Sequence, residues 1–173
     1  MKKTILTLIC GLTMSLSAVA QTQDLSPFAK DKFFCGASLS GFDAKWTNNT
    51  KWNLDIGAKI GYLFDTNWMV TANAEYDVRH YGNNVLFAGA GLRYYFEDYG
   101  IFLGASGNYV HGTQGDRFDD FMPSVQVGYA FFLNRTVTIE PEVYYNQSLQ
   151  SHSDYSGFGL RIGIGIYFEN LGL

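Results

Sequence analysis

Three histidines and the hydroxyls beside them are the first residues in this chain that could do chemistry. His111 stands two residues before Thr113, and Ser151 and Ser153 flank His152. An imidazole within reach of a hydroxyl, with a carboxylate to orient it, makes serine or threonine nucleophilic. His111 could also join Asp116, Asp119 and Asp120 around a divalent cation. These aspartates lack the spacing of a calcium loop, however. His80, His111 and His152 all lie in or beside polar links between apolar segments, and solvated loop residues account for them. No catalytic residue, cofactor or metal site is assigned, and the protein is not expected to be an enzyme.

A second set of charges has a different setting. Asp55, Lys59, Glu75, Asp77, Arg79, Arg93, Glu140, Glu142 and Arg161 lie within strongly alternating segments, among glycines and opposite apolar side chains. Both signs are present, so their chemistry is ion pairing. Buried charges are tolerable only when paired and hydrogen-bonded, and the four cations are expected to find the five carboxylates.

The segments that must position them show a period of two. In Gly157 to Phe168, the side chains of Phe158, Leu160, Ile162, Ile164, Ile166 and Phe168 share one face. Gly157, Gly159, Arg161, Gly163, Gly165 and Tyr167 form the other. Successive side chains of an extended strand point to opposite faces. The same alternation predicts seven more strands: Lys32 to Gly41, Trp52 to Phe64, Trp68 to Val78, Val85 to Phe96, Ile101 to His111, Phe121 to Leu133 and Val137 to Gln147. No helical stripe and no linker divides the chain, which is read as all-β.

The links alternate as regularly as the residues. Asp65 to Asn67, Glu97 to Gly100 and Asn134 to Thr136 are tight turns. Phe42 to Lys51, Arg79 to Asn84, Gly112 to Asp120 and Ser148 to Ser156 are longer or more polar. In an up-and-down barrel, alternate links lie at opposite ends, so one rim is trimmed and the other carries loops. That layout and an even strand count characterise transmembrane barrels.

The N-terminus predicts export. Lys2 and Lys3 precede the apolar run Ile5 to Leu16, and Ala18-Val19-Ala20 offers a small-residue cleavage site. Residues 1–20 are read as a signal peptide and 21–173 as one barrel domain. Cleavage removes Cys10, leaving Cys35 without an internal disulfide partner.

Composition decides which face meets the lipid. Charged residues are 16% of the 173, below the roughly 25% of soluble domains, while aromatics reach 17%. A secreted lipocalin-like barrel would turn its polar face to water. Here Gly57, Gly61, Gly89, Gly91, Gly104, Gly128, Gly163 and Gly165 dominate that face, which suits a crowded interior better than a solvated surface. Every strand charge lies among them, and Arg or Lys on a lipid face would cost about 2–4 kcal/mol at the midplane. Rings complete the pattern in two bands. Tyr62, Phe64, Trp68, Tyr94, Phe96, Tyr129, Phe131 and Phe168 lie near the short turns, and Phe42, Trp46, Trp52, Tyr76, Tyr81, Tyr109, Tyr145 and Phe158 near the loops. Tyr and Trp favour the bilayer interface. The formal charge of -4 brings no basic run, and nucleic acid is excluded as a partner.

Signal peptide, strand count, turn alternation and the closing strand GFGLRIGIGIYF together resemble the small eight-stranded outer-membrane β-barrels of the OmpA transmembrane domain, OmpX and Ail type. The resemblance implies an antiparallel up-and-down transmembrane β-barrel in the bacterial outer membrane. It also implies lipid and lipopolysaccharide as surroundings and the barrel assembly machinery as a partner. In such families the last strand usually ends the chain on an aromatic residue, whereas Glu169 to Leu173 follow Phe168 here, so an assembly tag would be internal. Some small barrels modify lipid A with a His/Ser/acid set, but the deacylase pattern of His and Ser two apart followed by Asn is absent. The expectation is a monomer plugged by ion pairs, with a structural or surface-interaction role carried by loops. Trp46, Lys51, Trp52, His111, Asp116, Asp119, Asp120 and His152 are the candidate loop contacts, for lipopolysaccharide, a surface ligand or a host protein. A small passive channel is the competing reading.

Overall fold

The computed structural model describes residues 26–44, 54–78, 85–96, 99–112, 119–150 and 156–169. The strands are β1 Lys32–Ala44, β2 Leu54–Asp65, β3 Trp68–Val78, β4 Val85–Phe96, β5 Ile101–Gly112, β6 Asp119–Tyr129, β7 Phe131–Phe132, β8 Val137–Asn146 and β9 Gly157–Glu169. All pairings are antiparallel: β1 to β6 pair in sequence order, β1 also pairs with β9, and β8 pairs with β9, β6 and β7. The sheet is therefore closed. Its nine segments make an eight-strand up-and-down barrel with no free edge.

The sixth strand of the sequence reading is two segments. Gly128 pairs with Glu142 and Phe131 with Ile139, which keeps a single register across the break. The gap at Ala130 falls beside Pro141, which has no amide hydrogen. The Ala130 N–H extends the pairing with the β5 side, donating to the Gly100 carbonyl at 2.8 Å. Gly100 has φ 80, and a Cβ there would come within 2.6 Å of the Ala130 oxygen, so this turn requires glycine. The other short turns use side-chain acceptors. Asp65 Oδ1 takes the Thr66 N–H at 2.8 Å, and Asn134 Oδ1 takes those of Thr136 and Val137, each at 2.8 Å.

The alternation sorts side chains as the two-residue period requires. Ile162 is 62% exposed, and Leu39, Ile56, Ile60, Leu160 and Ile164 are similarly bare. Their described neighbours in sequence, among them Lys59 and Arg161, point inward. Among the described strand residues no charged side chain faces outward between the aromatic bands. Trp68 lies against Tyr94 with ring centroids 4.8 Å apart near the short turns, and Tyr145 against Phe158 at 4.7 Å near the other rim. A soluble protein rarely exposes apolar surface on this scale; a bilayer is the solvent that accepts it.

Glycines let the bore fill. A Cβ at Gly165 would run into the Phe34 ring and stand 2.7 Å from Thr138 Oγ1. Overpacking of a filled interior costs about 1–3 kcal/mol. Gly165→Leu is accordingly expected to lower the denaturant midpoint of the folded barrel, read by gel mobility without boiling; an unchanged midpoint would show that the bore has slack.

Candidate functional site

The centre of the bore holds a column of charge. Arg93, on β4, is 0% exposed and donates to Glu140 Oε2 at 2.7 Å, Glu142 Oε2 at 3.1 Å and the Tyr95 hydroxyl at 3.2 Å. Glu142 on β8 also accepts from Lys59 Nζ at 3.3 Å and from Arg161 Nη1 at 2.8 Å, so it serves three cations. Arg161 on β9 reaches across to Glu75 Oε2 on β3 at 2.6 Å. Three cations thus meet three carboxylates, and this cluster is neutral. A lone buried charge would be costly; this arrangement leaves none.

Neutral donors complete the carboxylates. Thr138 Oγ1 and the Tyr167 hydroxyl donate to Glu140 Oε1 at 3.0 and 2.9 Å, and Tyr167 and Tyr95 share a hydrogen bond of 2.8 Å. The guanidinium of Arg93 lies 3.8 Å from the Phe102 ring centroid, and that of Arg161 4.5 Å from Tyr144. Such stacking stabilises a desolvated cation. Arg93 Nε alone among its nitrogens lacks a hydrogen-bond partner.

Each end of the column has its own chemistry. Toward the short turns, Phe28, Phe34, Leu63, Met69, Tyr95, Phe102, Ala130 and Tyr167 form a buried apolar collar. Toward the loop rim, Thr71, Asn73, Ser106, Asn108, Ser124 and Gln126 line a narrow polar space above Lys59, Glu75 and Arg161. Asn73 donates to Asn108 across it at 3.0 Å. Val85, Val110 and Met122, with Phe87 against them, make a second apolar cluster near that rim. Among the described residues no group of three or more histidine, cysteine, aspartate or glutamate side chains could hold a metal ion.

No family model and no curated protein matches the chain. Solved structures do. The N-terminal barrel domain of OprF from Pseudomonas aeruginosa aligns with a TM-score of 0.58 at 14% identity, over 80% of this chain and 98% of that one. Neisserial surface protein A gives 0.59 at 12% identity, over 80% and 98%. The outer membrane protein OprG from Pseudomonas aeruginosa gives 0.53 at 14%, over 84% and 100%. This chain has the fold of the small eight-stranded outer-membrane barrels. At such identities the likeness is one of architecture.

The sequence-predicted charges divide accordingly. Lys59, Glu75, Arg93, Glu140, Glu142 and Arg161 meet in the column of this small barrel. Asp55 pairs with Asp77 through the backbone of β2 and β3, but their side chains, and Arg79 altogether, lie outside the described residues. Trp46, Lys51, Trp52, Asp116 and His152 lie outside them as well. His111 and Asp119 belong to strand ends rather than to loops. Asp119 Oδ1 accepts from the Tyr109 hydroxyl at 2.7 Å and contacts His111 Nδ1 at 2.7 Å, on the outer surface. Asp120 is a correction to the loop reading: it is the second residue of β6, 3% exposed, and accepts from Ser148 Oγ at 2.6 Å. Alternation turns it inward from its exposed neighbour, and the serine that satisfies it comes from beyond β8.

Three participants were not singled out from sequence. Tyr95, Tyr167 and Thr138 all share strand parity with column residues: Tyr95 with Arg93, Tyr167 with Arg161, Thr138 with Glu140. An inward hydroxyl two residues from an inward charge is the signal that finds them. Phe28 had no such signal, because it precedes the first strand.

Proposed function

We propose that the protein is an integral barrel of the bacterial outer membrane, closed to solutes, with a structural or surface-interaction role borne by its loops. The observation that carries this reading is the neutral charged column, with Arg93 fully buried, inside a wall whose outward face is apolar between two aromatic bands. Eight strands enclose a bore that side chains can fill. On this reading residues 1–20 are removed on export, the short turns face the periplasm, and the loops face outward. The surrounding partners are lipid, lipopolysaccharide and the barrel assembly machinery, and the loops of the monomer present Trp46, Lys51 and Trp52 to a surface ligand or host protein. The reading is non-enzymatic: at the strand end Asp119 is shared by His111 Nδ1 and the Tyr109 hydroxyl, a surface cluster on the outer wall, away from the polar space of the bore.

Two measurements test it. Purified barrel in planar bilayers is expected to give no stable open conductance; a persistent one would replace the closed barrel by a channel. Envelope integrity and surface binding are then compared in cells carrying the intact barrel, none, or one with 45–53, 79–84, 113–118 and 151–155 cut to tight turns. Loss of binding confined to the trimmed loops indicates recognition, whereas loss of integrity only without the barrel indicates an envelope-structural role. No change in either arm would overturn both.

A further inference from the structure

The segment Ser26 to Asp31 precedes the barrel, yet it turns back into the short-turn mouth. Phe28 is 0% exposed there. Its ring stacks on Tyr95 with centroids 4.0 Å apart and planes 12° from parallel, and it meets Phe132 and Tyr167 edge-on at 5.6 and 5.8 Å. Immediately beyond that ring lie the paired hydroxyls of Tyr95 and Tyr167, which are bonded to Arg93 and Glu140. Phe28 therefore separates the lower end of the charged column from water.

We infer that Ser26 to Asp31 is a detachable cork, and that its seating controls water access to the column from the short-turn side. The backbone bonds from the segment to the described wall are separate from the strand ladders. Two backbone bonds join the segment to the wall, from Asn67 N–H to the Phe28 carbonyl at 2.9 Å and from Asp31 N–H to the Leu63 carbonyl at 2.8 Å. Side-chain ties include the exposed Tyr62 hydroxyl to Asp31 at 2.7 Å and Lys32 Nζ to the Ser26 and Pro27 carbonyls at 3.2 and 3.5 Å. The Ala29 amide bonds only within the segment, to Ser26 at 2.9 Å. Local opening follows from few backbone bonds and few buried apolar contacts; here the backbone bonds are two and the buried contact to be broken is one ring, Phe28. β1 by contrast is paired along both edges, to β2 and β9, and stays closed when the cork leaves. Phe28 is the one large side chain that would have to move.

Thiol protection reads the seating directly. Met69 is 0% exposed in the collar, and Met69→Cys in a Cys35→Ser background places a thiol behind the cork. In detergent micelles, a water-soluble maleimide is expected to leave this thiol unmodified. Phe28→Asp, which cannot remain stacked on Tyr95, is expected to raise the labelling rate by about tenfold or more, and Phe28→Leu to keep protection. Gel mobility without boiling establishes that each variant is folded. Equal labelling with and without Phe28→Asp overturns the inference. Hydrogen exchange of the unmodified protein tests it without any variant. The Asp31 and Asn67 amides are expected to exchange together and ahead of β1 and β9; exchange only with global unfolding means the segment is not detachable. Micelles open both mouths to reagent, so the outcome is independent of membrane orientation and of the conductance experiment.

Discussion

Glu142→Gln is expected to be the most destabilising single substitution in this barrel. The amide keeps the size of the side chain but removes the charge shared by Lys59, Arg93 and Arg161. What remains in the column is three cations against Glu75 and Glu140, an excess of one buried positive charge. Breaking a buried pair from one side costs about 3–5 kcal/mol because the surviving charge stays desolvated. Urea titration of the refolded protein, followed by tryptophan fluorescence and gel mobility, should show the midpoint fall accordingly. Adding Lys59→Met removes one of the three cations and restores neutrality, so the double variant is expected to recover part of the loss, with coupling measured by the cycle. A midpoint unmoved by Glu142→Gln would mean that the column contributes nothing to stability.

Ile162→Arg is the complementary experiment on the outer wall. Ile162 pairs with Leu39 on one side and Pro141 on the other, at the middle of β9 and well inside both aromatic bands. Arginine at the bilayer midplane costs about 2–4 kcal/mol in a barrel of this kind. The substitution should therefore destabilise the protein in lipid vesicles by that amount. The same change on a water-facing strand would fall within about 0.5 kcal/mol. An indifferent result in vesicles would place this face against water and require a different solvent for the whole exterior.

The closed barrel was legible because the strand period leaves little freedom. Once Phe158 to Phe168 are assigned to one face, Arg161 can only point to the other, and the same step sends Lys59, Glu75, Arg93, Glu140 and Glu142 inward. Which cation meets which carboxylate was not legible. Glu142 collects three cations because β2, β4 and β9 bring their side chains to one level of the bore, and that level depends on strand stagger rather than spacing. The break at Ala130 was hidden for a local reason, since Phe121 to Leu133 alternates without interruption and the gap arises opposite a proline on another strand. Asp120 was placed in a loop because Gly112 to Asp120 reads as one polar stretch; its burial depends on Ser148, far along the chain. Phe28 was invisible to any periodic argument. One aromatic between Pro27 and Ala29 has no pattern to belong to, and only closure of the barrel creates the hole it fills.

The column also has a mechanical meaning. Hydrogen bonds of the sheet join each stave only to its neighbours and hold the circumference, but do not by themselves hold the shape of the cross-section. Lys59 to Glu142, Arg93 to Glu142 and Arg161 to Glu75 each cross the interior between staves that are not adjacent. They act as spokes in a rim. A tube so braced resists being flattened to an ellipse by lateral pressure in the bilayer, and loops anchored on its edge keep fixed distances from one another.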